Sequence, residues 1–366
     1  MNNLIRFYVG TYTTKLGHVD GKADGIYLYH MDLTNGEIQF LTKEDSGPNP
    51  SFLAIHPTGK YLYAVNELME FKGIRGGGIS SFDINPETGE LSRINQQPTH
   101  GGAPCHVCID ATGQYACVAN YMGGNLTIFP IDVDGSLKEA SDLIQHVGTS
   151  KDPRRQEGPH AHSITIDPAN RYAFAADLGI DKVLSYRIDL KNGKFITSDV
   201  PWVAVQPGAG PRHFAFHPNG KFAYLINELD STLNAYKYES EQGILIELQS
   251  VPTLPEGFTG WNACADLHIL PSGKFIYGSN RGHDSIVIFS IHPESGTLEY
   301  VGHQSTQGKI PRNFAIDPTG RFLLVANQDT DSIVVFRIDP EKGILQYTGK
   351  TIQIPTPVCI TFYTLK

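Results

Sequence analysis

Apolar residues along this chain fall in runs of a few residues, many alternating with polar ones, and Gly, Pro, Asn and Asp punctuate the runs. That pattern belongs to short strands, and no stretch carries the period of an amphipathic helix. The segment from Gly210 to Glu228 gives the unit: a strand, Pro211-Arg212-His213-Phe214-Ala215-Phe216, a turn, His217-Pro218-Asn219-Gly220, and a second strand, Phe222 to Ile226, ending on Asn227-Glu228. The same scaffold returns from Pro50 to Glu67, Pro104 to Tyr121, His162 to Leu178, Ala265 to Arg281 and Pro311 to Gln328. Its turn residues Gly59, Gly113, Asn170, Gly220, Gly273 and Gly320 are spaced by 54, 57, 50, 53 and 47. Periods of that size mark stacked or radial repeats.

Two more strands complete each unit, as in Ser332-Ile333-Val334-Val335-Phe336-Arg337 and Leu345-Gln346-Tyr347-Thr348, joined through Asp339-Pro340-Glu341-Lys342-Gly343. The N-terminal segment offers three strands, Phe7 to Tyr12, Gly25 to Met31 and Ile38 to Leu41, without the Pro-led strand that opens every later unit. That strand stands at the other end of the chain, Pro357 to Phe362. Six internal units and one shared by the termini predict an all-β, seven-bladed β-propeller of four-stranded blades. The ring is closed by N- and C-terminal strands sharing one blade, which removes exposed terminal edges. A single domain over residues 1–366 is the expectation, although length alone would suggest two or three. A β-helix accounts for the repeat less well, because its coils are shorter.

In such a ring the turns after the first and third strands emerge on one face, and the remaining connections on the other. The former are short, as in His56-Pro57-Thr58-Gly59; the long segments Thr14 to Asp24, Leu68 to Gly78, Gly148 to Gly158 and Thr253 to Ala263 all belong to the latter. Long loops on one face of a rigid scaffold place the functional site there, around the axis.

Composition narrows the partners. Lys and Arg number 29 against 38 Asp and Glu, a net charge of −9, which speaks against nucleic acid and against anionic membrane surfaces. The start has no basic segment followed by an apolar stretch, and no run approaches a membrane span, so a cytoplasmic protein with no membrane partner is expected. Five cysteines, an odd number in a long chain, suit a reducing compartment. Cys105 and Cys108 lie in a predicted strand with their side chains on opposite faces, which favours packing over metal or redox use.

Comparing the copies separates scaffold from chemistry. Seven places after the turn residue stand Asn66, Asn120, Asp177, Asn227, Asn280 and Asn327, a uniformity that suits a structural task, the satisfaction of backbone groups where the second strand meets its loop. One place later the series varies: Glu67, Tyr121, Leu178, Glu228, Arg281 and Gln328. The entrance of the first strand varies too, as Ser51, Cys105, His162, Arg212, Ala265 and Arg312, with His160, His106 and His213 beside them. These two variable positions converge cationic and titratable groups on a concavity that also holds Glu228. His56 and His217, which precede Pro where Asp110, Asp167 and Asp317 stand in other copies, are expected to serve the turns.

Gly158-Pro159-His160-Ala161-His162, Gly210-Pro211-Arg212-His213, Asn227-Glu228 and Ser279-Asn280-Arg281-Gly282, in that order, resemble the lactonase family of seven-bladed propellers. That family includes bacterial 6-phosphogluconolactonases and fungal carboxymuconate-lactonising enzymes, and the likeness covers nearly the whole chain. It implies hydrolysis of 6-phosphogluconolactone, a small anionic lactone, at a site containing a histidine of the Pro-His-x-His segment, His160 or His162, together with Arg212, Glu228 and Arg281. Around these, His106, Tyr121, His213 and Arg312 are expected to contact substrate, and Arg212, Arg281 and Arg312 to hold anionic groups. Glu228, among arginines, is expected to be ionised at neutral pH, and it or a histidine to take a proton from water. The chemistry calls for neither metal nor other cofactor. A carboxylated lactone such as a muconolactone is the alternative substrate. A non-catalytic interaction platform, with Phe71, Phe258 and Trp261 in an exposed patch, is the alternative of a different class.

Overall fold

The computed structural model describes residues 3–363; residues 1–2 and 364–366, at the ends of the expected 1–366 unit, lie outside it. Seven antiparallel four-stranded sheets follow one another round a ring. In blade 1 the strands run in the order Pro357–Tyr363, Leu4–Thr11, Ile26–Asp32 and Ile38–Glu44, so one strand comes from the C-terminus and three from the N-terminus. Arg6 pairs with Tyr363 and Phe7 with Phe362 across that closure. Blades 2 to 7 each use four consecutive strands, opening at Pro50, Pro104, Ala161, Pro211, Ala263 and Pro311. Two small hairpins, Lys15–Leu16 with Val19–Asp20 and Glu70–Phe71 with Ile74–Arg75, stiffen the first two long loops. The single helical turn among the described residues is Gln328–Thr330, and no helix there is long and apolar enough to cross a membrane.

The repeat is written in backbone chemistry. All six aligned turn residues have positive φ, from 57° at Asn170 to 75° at Gly273, the left-handed region that Gly and Asn enter most cheaply. Asp110 accepts from the backbone N–H of Thr112 and Tyr115 within its turn, and His56 and His217 each bond the next blade's turn carbonyl, Gly113 and Gly273. Turn chemistry therefore accounts for both histidines.

Strand periodicity sends successive side chains into different inter-blade cores. Phe7 packs with Phe322 and Leu324 of blade 7, whereas Tyr8 packs with Leu62 and Phe82 of blade 2. Leu324 and Val325 divide likewise between the two neighbours of blade 7. The first strands of neighbouring blades touch all the way round, which makes them the inner lining of the ring.

Candidate active site

Every inner strand carries a β-bulge near its start. Pro50 pairs with Asn66 and Phe52 with Val65, leaving Ser51 without an opposite residue; Cys105, His162, Arg212 and Arg312 are skipped in the same way. Blade 1 skips Val358, and blade 6 leaves both Ala265 and Asp266 out of register. A bulge turns the extra side chain away from the regular alternation of a strand. Here it aims one residue per blade at the axis, and these are the residues that vary at the strand entrance. Opposite them, the uniform series is fully buried. Asn66, Asn280 and Asn327 donate to the carbonyls of Pro48, Thr253 and Thr306, tying the end of each second strand to the segment arriving from the previous blade. The scaffold reading holds, with the inter-blade crossing as the partner.

The long-loop face opens into a cavity of about 580 Å3, within the usual roughly 300–1,000 Å3 of small-molecule sites. Five of the six residues in the variable series at the end of the second strand line it, namely Glu67, Tyr121, Glu228, Arg281 and Gln328; Leu178 alone does not. His162, Arg312 and Cys105 reach it from the bulges. Three of the four long loops contribute: His18, Arg155, and Trp261 with Ala263. The Leu68–Gly78 segment instead folds Phe71 inward against Gly78. Phe258 lies edge-on to His283, so of the three aromatics expected in an exposed patch only Trp261 is both exposed and at the cavity mouth.

Glu228 is the most heavily committed group. Its Oε2 accepts from Arg212 Nε and Arg281 Nη2, both at 2.8 Å, and its Oε1 from Arg155 Nη2 at 2.5 Å. Burial alone would raise its pKa, but the charges of Arg281, Arg212 and Arg155 outweigh that and hold it far below the usual carboxylate range. It is ionised at neutral pH, as expected from sequence. Arg212 is 2 % exposed and also donates to the Ala265 carbonyl; burial, with Arg281 nearby, lowers its pKa to about 10, so it remains charged. It lies beneath the cavity, its Nε and Nη1 engaged, and acts on the site through Glu228. Arg281 spends two donors on the Ala263 and Cys264 carbonyls.

Arg155 was not among the candidates from sequence. It stands on the Gly148–Gly158 segment, which has no counterpart in the repeat, and that segment is pinned by Gln156 to Leu178 O and by Ser150 to Asp181. Its Nη2 also donates to Tyr121 Oη at 3.1 Å, and its side chain remains 41 % exposed at the mouth. Arg312 is the opposite case. Its guanidinium lies 5.4 Å from the Tyr12 ring centroid, and among the described residues it has no hydrogen-bond acceptor and no carboxylate at ion-pair distance. Burial opposes its charge, yet Tyr12, Glu67 and Glu228 more than compensate and strengthen it.

The two candidate histidines separate. His162 lines the cavity, and burial followed by Arg212 and His213 pushes its pKa well below 6.5, so it is neutral. His160 stacks on Tyr121 with centroids 4.5 Å apart, bonds the Tyr121 carbonyl and Glu157, and supports the wall without forming it. His213 and His106 sit lower, their rings in edge contact 5.5 Å apart. His213 lines the narrow space under the main cavity and is bonded to Asp266. Cys105 is a buried thiol whose ionisation is opposed by that burial, which disfavours a thiolate nucleophile. Among the described residues, no group of three or more His, Cys, Asp or Glu converges as a metal site.

Comparison with known proteins agrees with this geometry. The family described as lactonase, 7-bladed beta-propeller, matches residues 6–362. A 6-phosphogluconolactonase of Bacillus subtilis is 37% identical over 356 residues, 97% of each chain. One of Formosa agariphila is 39% identical over 314 residues, 85% of this chain and 86% of its own. Among solved structures, the periplasmic gluconolactonase of Pseudomonas aeruginosa superposes with a TM-score of 0.92 at 34% identity, covering 99% of this chain and 100% of its own. With a bulged inner lining, an arginine-clamped glutamate at the axis and relatives matched over nearly their full length, this chain belongs to the lactonase family of seven-bladed β-propellers.

Proposed function

We propose that this protein hydrolyses 6-phosphogluconolactone to 6-phosphogluconate. The observation that carries the reading is Arg312, a half-buried guanidinium that has no hydrogen-bond acceptor or ion-pair partner among the described residues and lines the cavity with Arg281. A cation left without a protein partner at a cavity wall is the natural counterpart of an anionic ligand or a developing oxyanion. Water adding to the lactone carbonyl places negative charge on the carbonyl oxygen. Arg281 and Arg312, anchored by backbone carbonyls and by the Tyr12 ring, are preorganised to stabilise it. Arg155, half-exposed at the mouth, suits the phosphate, which an Arg fork binds bidentately. The relatives named 6-phosphogluconolactonase support this substrate. The five free cysteines support a cytoplasmic setting.

Purified protein should open 6-phosphogluconolactone faster than the spontaneous reaction, with competitive inhibition by 6-phosphogluconate and none by dicarboxylates. The reverse inhibition pattern would move the substrate to a carboxylated lactone. A rate equal to the spontaneous one would overturn the reading.

A further inference from the structure

We propose that Glu67, rather than Glu228, is the general base that activates water, an assignment that rests on the lactone-hydrolysing reading above. The two glutamates occupy the same position in the repeat, directly after the buried Asn that ends the second strand, in blades 2 and 5. Both are buried and both line the cavity. Their surroundings differ. Glu228 spends both oxygens on three guanidinium groups, and a carboxylate stabilised that strongly as the anion has little affinity for a proton. General-base catalysis works best when the base's affinity for a proton is matched to the working pH. Glu67 is held by neutral donors only: Ser51 Oγ at 2.7 Å and Tyr12 Oη at 2.9 Å, both on Oε2. Among the described residues Oε1 has no hydrogen-bond partner.

The other titratable groups facing the cavity are less suited. His162 is pushed well below its ordinary range by burial and the surrounding arginines, and His18 is lowered by burial and Arg312. Cys105 is held as the thiol by its burial. Asp329 is exposed at the rim. Arg312 lines the same cavity as both glutamates and feels the charge of both, so a carbonyl oxygen held by it shares that cavity with Glu228, which is paired to arginines, and Glu67, which is not.

The proton balance is closed. Water beside Glu67 Oε1 gives a proton to the carboxylate as its oxygen adds to the lactone carbonyl carbon, and the carbonyl π pair moves onto oxygen facing Arg281 and Arg312. Collapse of that intermediate re-forms the C=O bond and breaks the bond from carbonyl carbon to ring oxygen. The departing alkoxide takes the proton back from Glu67, and the new carboxylic acid loses its own to solvent. Glu228 holds Arg155, Arg212 and Arg281 in place and is a positioning residue on this account.

Steady-state kinetics of Glu67→Gln and Glu228→Gln on 6-phosphogluconolactone test the assignment, with 6-phosphogluconate binding by calorimetry as the check on folding. Glu67→Gln should lose about 10²–10⁴-fold in kcat with KM within about threefold of native, whereas Glu228→Gln should raise KM as its arginines lose their anchor. Glu67→Ala should regain part of its kcat with added formate, a carboxylate small enough to enter the vacated space. A Glu67→Gln kcat within about threefold of native, or a loss confined to KM, overturns the proposal. So does a Glu67→Ala variant that binds product but is not restored by formate. If the native protein itself fails to exceed the spontaneous rate, the hydrolytic reading falls first and this one with it; an active native protein with an equally active Glu67→Gln removes this assignment alone.

Discussion

The cavity and the floor beneath it are built from adjacent residues of the same inner strands, yet they treat buried charge in opposite ways. In the floor, Asp266 accepts from His213 Nδ1 and Leu267 N on one oxygen and from Asn313 Nδ2 and His268 Nε2 on the other. Burial would raise its pKa, but His268 and His213 hold it far below the usual range. His268, partly exposed, is raised by Asp266, while burial and Arg212 lower His213 to about 4 and keep it neutral. Every lone pair is used, and nothing remains to meet a ligand. In the cavity, Glu67 keeps an oxygen free and Arg312 its donors. The contrast separates a polar cluster that serves the ring's rigidity from one left incomplete for a substrate.

The largest effect expected from this contrast is on stability. Asp266→Ala strands His213, His268 and Asn313 at the point where the inner strands meet, and loss of one member of such a buried ionic network costs about 3–5 kcal/mol. Chemical denaturation should register that cost, while KM of the folded fraction changes little. A variant as stable as the native protein would show that the floor is not structural.

A second expectation concerns pH. A histidine buried neutral contributes stability that is complete above its unfolded value and is lost as pH falls towards its folded one. His213, lowered from 6.5 to about 4, therefore contributes about 3 kcal/mol that disappears across that window. His106 and His162, both driven down first by burial, act in the same direction. His268, which is raised, acts oppositely: its contribution is complete below 6.5 and fades as pH climbs through its folded value. His18 and His303 are lowered by burial as well, so with five histidines against one the Tm should drop as pH is lowered from about 6.5 to 4, and less steeply in His213→Gln. A Tm that rises over that range would contradict the buried-neutral assignments.

Much of this was legible in the sequence because repetition supplies its own comparison. The six turn residues, the closing strand Pro357 to Phe362 and the uniform Asn series each mark backbone geometry that must recur, and most of the positions that vary line the cavity. What stayed hidden does not repeat. Arg155 and His18 sit on loops with no equivalent in other blades, so nothing in the pattern could weigh them, although Arg155 closes the clamp on Glu228. The bulges were hidden too, since a skipped residue leaves strand alternation almost unchanged in a short strand. Without them, His160, His106 and His213 had the same claim to the cavity as His162 and Arg212.

A smaller effect sharpens the division within the cavity itself. Arg155 stands at the mouth and Arg312 at the base, so Arg155→Gln should weaken the phosphate more than the lactone ring. The preference for 6-phosphogluconolactone over gluconolactone, as a ratio of kcat/KM, should fall about tenfold, equivalent to about 1.4 kcal/mol of lost discrimination. An unchanged ratio would assign the phosphate to Arg281 or Arg312 instead.

The most direct measurement is kcat/KM for opening of 6-phosphogluconolactone by the Glu228→Gln, Arg281→Ala double variant, corrected for the spontaneous reaction. This variant removes one negative and one positive partner from the clamp, which limits the unpaired charge left behind and favours folding. A rate at the spontaneous background, in a protein that still unfolds cooperatively, is the predicted result. A rate equal to the native protein's would contradict the account, because it would mean that lactone opening does not depend on the arginine-clamped glutamate at the axis.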